Sequence, residues 1–194
     1  NKNVIRNASW HPGGIFWVWS KPNAITVGNT IQYDPNLKDE EATVWTELIA
    51  HETRHVQQYK EKGFFGFLIE YAQDYAVNSN SPSISSDYEA YRKISAEQEA
   101  FSLEGVLSNF FSNRKNSQEF LRILNNNDLS DNQKSGQLEL LGIERVALPH
   151  LRSVKGDLQS IMTNENEDFI GRLLQFVNGA IQEKQNRADE IRNN

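Results

Sequence analysis

Leu48-Ile49-Ala50-His51-Glu52-Thr53-Arg54-His55-Val56-Gln57-Gln58-Tyr59 is the stretch whose reading decides the fold. Its spacing is helical. Val44, Leu48, His51, His55 and Tyr59 recur at steps of three and four on one face, and Trp45, Ile49, Glu52 and Val56 form the adjacent stripe. Asp39, Glu40 and Glu41 lead into the helix and Lys60 and Lys62 close it, the charge order that the helix dipole favours. Gly63 supplies the stop.

Outward from this helix the periodicity changes. Upstream, Trp10 to Tyr33 reads as β structure. Phe16-Trp17-Val18-Trp19 is aromatic and β-branched, Ser20-Lys21-Pro22-Asn23 is turn chemistry, and Ile25, Val27 and Ile31 resume a strand pattern around a turn at Gly28-Asn29. Asp34-Pro35-Asn36 closes this section. Downstream, helices are expected from about Phe64 to Val77 and from Asp87 to Phe111. Shorter ones follow over Gln118 to Leu124, Gln133 to Leu141 and Ala147 to Met162. A last helix is expected from near Asn164, with Glu167 at the capping-box position and a frayed polar end from Glu183 onward. The expected class is α+β, mostly helical. Residues 1–111 are expected to form a core of small N-terminal sheet plus helices, and residues 112–194 a helical C-terminal extension.

His51-Glu52-Thr53-Arg54-His55 matches the pattern H-E-x-x-H. Residues i and i+4 lie one above the other on a helix, so both imidazoles can reach one tetrahedral ion. Glu52 projects beside them. A zinc ion lowers the pKa of a bound water, and an adjacent carboxylate can take that water's proton. His51 and His55 are therefore candidate metal ligands, with one Zn2+ expected per chain and Glu52 as the candidate base. Two histidines one turn apart on an apolar face are costly to bury without a shared partner.

A third ligand is needed, and in the gluzincin arrangement it is a Glu on a later helix, followed three residues on by a small residue. Glu97, in Ala96-Glu97-Gln98-Glu99-Ala100, has that context. Glu99 is its rival on another face of the same turn. His150 is read as an ordinary surface histidine, and His11 is unassigned. Tyr88, Tyr91 and Arg92 are candidate donors to a developing oxyanion, with Tyr91 preferred.

Ala24-Ile25-Thr26-Val27-Gly28-Asn29-Thr30-Ile31, followed after a spacer by Leu48 to Gln58, resembles the metallopeptidase domain with the pattern A-x-T-V-G-x-x-I … L-x-A-H-E-x-x-H-V-x-Q-Q. Such domains occur with bacterial contractile injection systems and polymorphic toxins. The resemblance covers roughly Ala24 to Gln58, with a weaker echo at Gly63-Phe64, Tyr91 and Glu97 to Ala100. It implies a minimal zincin fold, with a β edge that can align an extended peptide. It also implies His51, His55 and Glu97 as ligands and Glu52 as base. The chain departs from the family pattern at Thr53-Arg54. It also has Phe101 where many gluzincins carry an Asp that orients a ligand histidine.

Composition narrows the partners. A net charge of −6 and a pI near 5.3 argue against nucleic acid. The absence of cysteine excludes thiolate metal sites and thiol nucleophiles. No apolar run reaches membrane-span length. The expected function is zinc-dependent hydrolysis of a peptide or protein substrate, in a protein secreted or delivered by a bacterium and having a secretion-system or immunity partner. The alternative is a catalytically silent zincin-fold module that binds or targets within an injection system.

Overall fold

The computed structural model describes residues 8–13 and 23–193. They are mostly helical with one small three-stranded sheet, the α+β class expected from the sequence. The Phe16 to Trp19 run and the turn over Ser20 to Pro22 lie outside the described residues. The chain divides into two compact units, Asn1–Asn109 and Phe110–Asn194.

In the first unit, β1 (Ser9–Pro12), β2 (Ala24–Val27) and β3 (Thr30–Tyr33) form a sheet in the order β1-β3-β2. β2 and β3 are antiparallel, joined at Gly28-Asn29, where Gly28 takes the left-handed φ of 62° that favours glycine. β1 pairs with β3 in parallel, Trp10 opposite Ile31. Thr26 also stands opposite Ile31, and Ala24 opposite Tyr33. Side chains alternate across a strand, so Trp10, Ala24, Thr26, Ile31 and Tyr33 share one face. That face covers α1 (Ala42–Lys62). Ile31 is fully buried against Val56, with Trp10 and Ala24 packed beside them, and the Tyr33 ring meets Trp45 edge-on at 5.1 Å.

A 3-10 turn, Pro35–Asp39, separates the sheet from α1, and Asp34 caps it by accepting from Asn36 N at 2.8 Å. α1 starts at Ala42, later than the acidic run at Asp39, and Val44 is largely exposed, so its buried face is shorter than the sequence spacing predicts. The helix ends at Gly63, whose φ of 73° turns the chain into α2 (Phe64–Ser79).

The single helical stretch expected over Asp87 to Phe111 is two helices, α3 (Asp87–Arg92) and α4 (Ser95–Ser112). The break has two physical causes. Ile94 is fully buried with Tyr59, Phe67 and Ala96. Ser95 N donates to Asp74 Oδ2 of α2 at 2.9 Å, satisfying a backbone group that a continuous helix would have used internally. The Ser95 side chain, together with this backbone bond, also holds the Asp74 carboxyl below its ordinary range.

The second unit contains α5 (Arg114–Leu124), α6 (Asp131–Gly142), a π-helical turn at Ile143–Ala147, α7 (Leu148–Ser160) and α8 (Glu167–Asn193). Ser130 and Gln133 form a capping box at the start of α6. Phe110, Ile123 and Leu141 make one apolar cluster, and Ile143, Leu148 and Ala188 another. Two expectations are corrected. α8 begins at Glu167, because Asn166 spends its side chain on Thr163 N (2.7 Å) and Ile161 O (2.9 Å), bonds that favour a turn. The polar tail from Glu183 does not fray: Ala188 is buried, Ile191 packs beside it, and Arg187 grips Glu139 with two bonds of 2.9 and 3.1 Å.

Candidate metal centre

One face of α1 presents His51 and His55 inward, and the first turn of α4 presents Glu97 to them. His51 Nε2 lies 3.3 Å from Glu97 Oε2, His55 Nε2 lies 3.4 Å from Glu97 Oε1, and the two Nε2 atoms are 3.2 Å apart. One ligand atom from each residue falls within a 4.8 Å span, and all three residues are buried, at 5, 6 and 3% exposure. Among the described residues these are the ones grouped closely enough to share an ion.

The surrounding hydrogen bonds fix what the ring nitrogens offer. His51 Nδ1 lies 3.0 Å from Glu104 Oε2 and His55 Nδ1 lies 2.8 Å from Gln58 Oε1. Gln58 is held in that orientation because its Nε2 donates to Ala96 O at 3.0 Å and to Glu99 Oε2 at 2.8 Å. Both acceptors are oxygens, so each Nδ1–H is directed outward to its partner and each Nε2 is the atom that can turn a lone pair to an ion. Two imidazole Nε2 atoms and a carboxylate therefore converge in a buried space. Glu97 Oε2 is itself buried without a hydrogen-bond partner. Such a cluster could hold a metal ion. The nitrogen and oxygen donors fit zinc, and the carboxylate offsets part of its charge.

The electrostatics agree. Burial alone would push the His51 imidazolium down, but Glu104 and Glu97, helped by Glu52, outweigh it and hold His51 up at about 9. Burial pushes Glu97 up, yet the bonds from His51 and His55 dominate and keep it well below the carboxylate range. Without a metal, the negative field recruits a proton instead.

Glu52 is 4% exposed and projects to the sheet side of α1, where Thr26 Oγ1 donates to its Oε2 at 2.6 Å. Burial raises its pKa, while Thr26 and the two histidines oppose that rise. On the other flank, Tyr71 of α2 donates to Glu97 Oε1 at 2.8 Å. Burial and the Glu97 charge raise the pKa of Tyr71 and Tyr91, so both hydroxyls keep their protons at neutral pH.

The remaining candidates separate cleanly. Glu99 faces away from the histidines and receives two bonds from Arg54, of 2.6 and 3.1 Å. Tyr88 is exposed, and the Arg92 guanidinium stacks 3.9 Å over the Phe101 ring. His11 and His150 are exposed, in β1 and α7. Ala100 is fully buried, as close approach of α4 requires. Sequence reasoning missed Thr26, Gln58, Tyr71 and Glu104. Two of these carried a readable signal: Gln58 lies three residues after His55, and Glu104 lies seven after Glu97, both on the same helix face.

Residues 20–63 match the family model of the eCIS core domain. The match associates the chain with extracellular contractile injection systems. It spans β2, β3 and α1, and so includes Thr26, His51, Glu52 and His55, but stops before Glu97. No curated protein and no solved structure matches the chain. Among the described residues no helix is long and apolar enough to cross a membrane.

Proposed function

We propose that the first unit is a zinc-dependent peptidase whose metal is held by His51, His55 and Glu97 and whose general base is Glu52. The observation that carries this reading is the buried convergence of His51 Nε2 and His55 Nε2 on the two carboxylate oxygens of Glu97, at 3.3 and 3.4 Å, with a second carboxylate, Glu52, next to His51 on α1. A bound zinc ion would polarise the scissile carbonyl and acidify a water. The rest falls to the chain. His51 and His55 are oriented by Glu104 and Gln58. Glu52, raised by burial toward the working range of a base, takes the proton from the attacking water and returns it to the leaving amine. Tyr71 donates to Glu97 Oε1 and holds that carboxylate in place, while Tyr91, kept protonated beside it, can donate to charge that develops on the substrate oxygen.

The match to the eCIS core domain favours a setting in which the substrate is a peptide or protein met during assembly or delivery of a contractile injection system. It also supports a second reading, in which the same centre braces a non-catalytic docking module. Glu52 separates the two, since a brace has no use for a buried base. The test is elemental analysis of the purified protein, then hydrolysis of a peptide library by the zinc-loaded form. Zinc near one per chain with cleavage supports the peptidase, and zinc without cleavage supports the module.

A further inference from the structure

We infer that Thr26 is a positioning residue that fixes the Glu52 carboxylate for its work as a base. This rests on the peptidase reading above. Thr26 lies on β2, outside α1, and is 8% exposed. Its partner Glu52 is 4% exposed. Both ends of the contact are thus removed from water, where a hydrogen bond to a carboxylate is strong and expensive to lose. Thr26 Oγ1 is 2.6 Å from Glu52 Oε2 and 3.3 Å from the Glu52 carbonyl oxygen. A hydroxyl has one proton to give, and the shorter contact to the charged oxygen takes it.

The strand register makes this contact. Thr26 is paired with Ile31, which is fully buried on α1, so the Thr26 side chain must leave the sheet on the same face. Threonine is branched at Cβ, which restricts its χ1 and keeps the hydroxyl aimed. One carboxylate oxygen of Glu52 is thereby occupied and the other remains the acceptor for the proton of a water. A carboxylate free to rotate would present the same charge in many geometries, few of them productive. An apolar residue at position 26 would satisfy the packing of β2 on α1, so packing alone does not explain a threonine in this place.

The test compares Thr26→Val, which keeps the shape and removes the donor, with Thr26→Ser, which keeps the donor. Each is made in the full chain and loaded with zinc. Two readouts are taken: the orientation of the Glu52 carboxylate in crystal structures, and the kcat and KM for a cleaved library peptide. For Thr26→Val we expect a reoriented carboxylate and a kcat lowered about tenfold or more, with KM and zinc content nearly unchanged. Thr26→Ser should restore the orientation and most of the rate. An unmoved Glu52 with unchanged kcat in Thr26→Val overturns the inference while leaving the peptidase reading intact, as does a Thr26→Ser variant no better than Thr26→Val. A zinc-loaded wild type that cleaves nothing, with Glu52 still reoriented in Thr26→Val, sinks the peptidase reading and leaves the positioning role standing.

Discussion

Glu104 Oε2 accepts the Nδ1–H of His51 at 3.0 Å, from a position one helical turn beyond Phe101. Phe101 packs edge-on against the same imidazole, with ring centroids 4.6 Å apart. In the gluzincin pattern that the sequence resembles, an Asp that orients a ligand histidine stands at the position of Phe101. Here an aromatic ring occupies that place and the carboxylate arrives from the next turn of the same face. Such outer partners fix tautomer and ring orientation.

The first prediction follows from this pair. Glu104→Gln keeps a polar group at the site but cannot hold the proton on Nδ1 as strongly. Zinc affinity should fall roughly tenfold, within the range found for outer-shell changes. Competition with a chromophoric chelator measures it, and an unchanged affinity would mean that His51 needs no orientation.

The second prediction separates the two neighbouring glutamates of α4. Glu97→Ala removes a ligand and should weaken zinc binding at least about tenfold. Glu99→Ala should have a smaller effect, passed through Gln58 to His55. Equal losses in the same chelator competition, or a greater loss in Glu99→Ala, would reverse the assignment.

The third prediction concerns pH. Metal-free protein holds His51 at about 9, above its ordinary value of 6.5. The raised pKa contributes stability that is fully present below 6.5 and lost as pH rises through about 9. The urea midpoint of metal-free protein should fall across that window, and His51→Asn should flatten the fall. Zinc must displace the same proton, so its affinity should climb over the same interval. A midpoint independent of pH there would contradict the raised value.

The fourth prediction tests the end of the chain. Ala188 is 2% exposed between Ile143 and Leu148, in a stretch whose composition is almost wholly polar. Ala188→Asp buries an unpaired charge and should cost the second unit roughly 2–3 kcal/mol or more. Thermal denaturation should show a clear drop in midpoint. No drop would return this segment to the frayed end expected from sequence.

These cases show what was legible and what was not. The helix carrying His51, Glu52 and His55 was readable because i, i+4 spacing alone sets its geometry. Gly63 was readable as a stop because a positive φ has few other tenants. Glu97 could be chosen over Glu99 from the small residue after it, although no local rule could bring α4 across α1. The break before Ser95 was hidden, since one of its causes is Asp74, 21 residues earlier, and the other is the burial of Ile94 among residues of other helices. The role of Thr26 was hidden for the same reason: the family pattern marks the position, but Thr26 owes its inward place to register with Ile31 and to a partner on another element. The ordered tail of α8 depends on Ala188, too small to stand out among charged neighbours.

The most direct measurement is peptide-library hydrolysis by zinc-loaded wild type beside zinc-loaded Glu52→Gln. The amide keeps the size of the side chain but cannot accept the water's proton, so Glu52→Gln should hold one zinc and lose about a hundredfold or more of the rate. Glu52→Gln cleaving as fast as wild type, or a zinc-loaded wild type that leaves the library intact, would contradict the proposal that this centre hydrolyses peptide bonds.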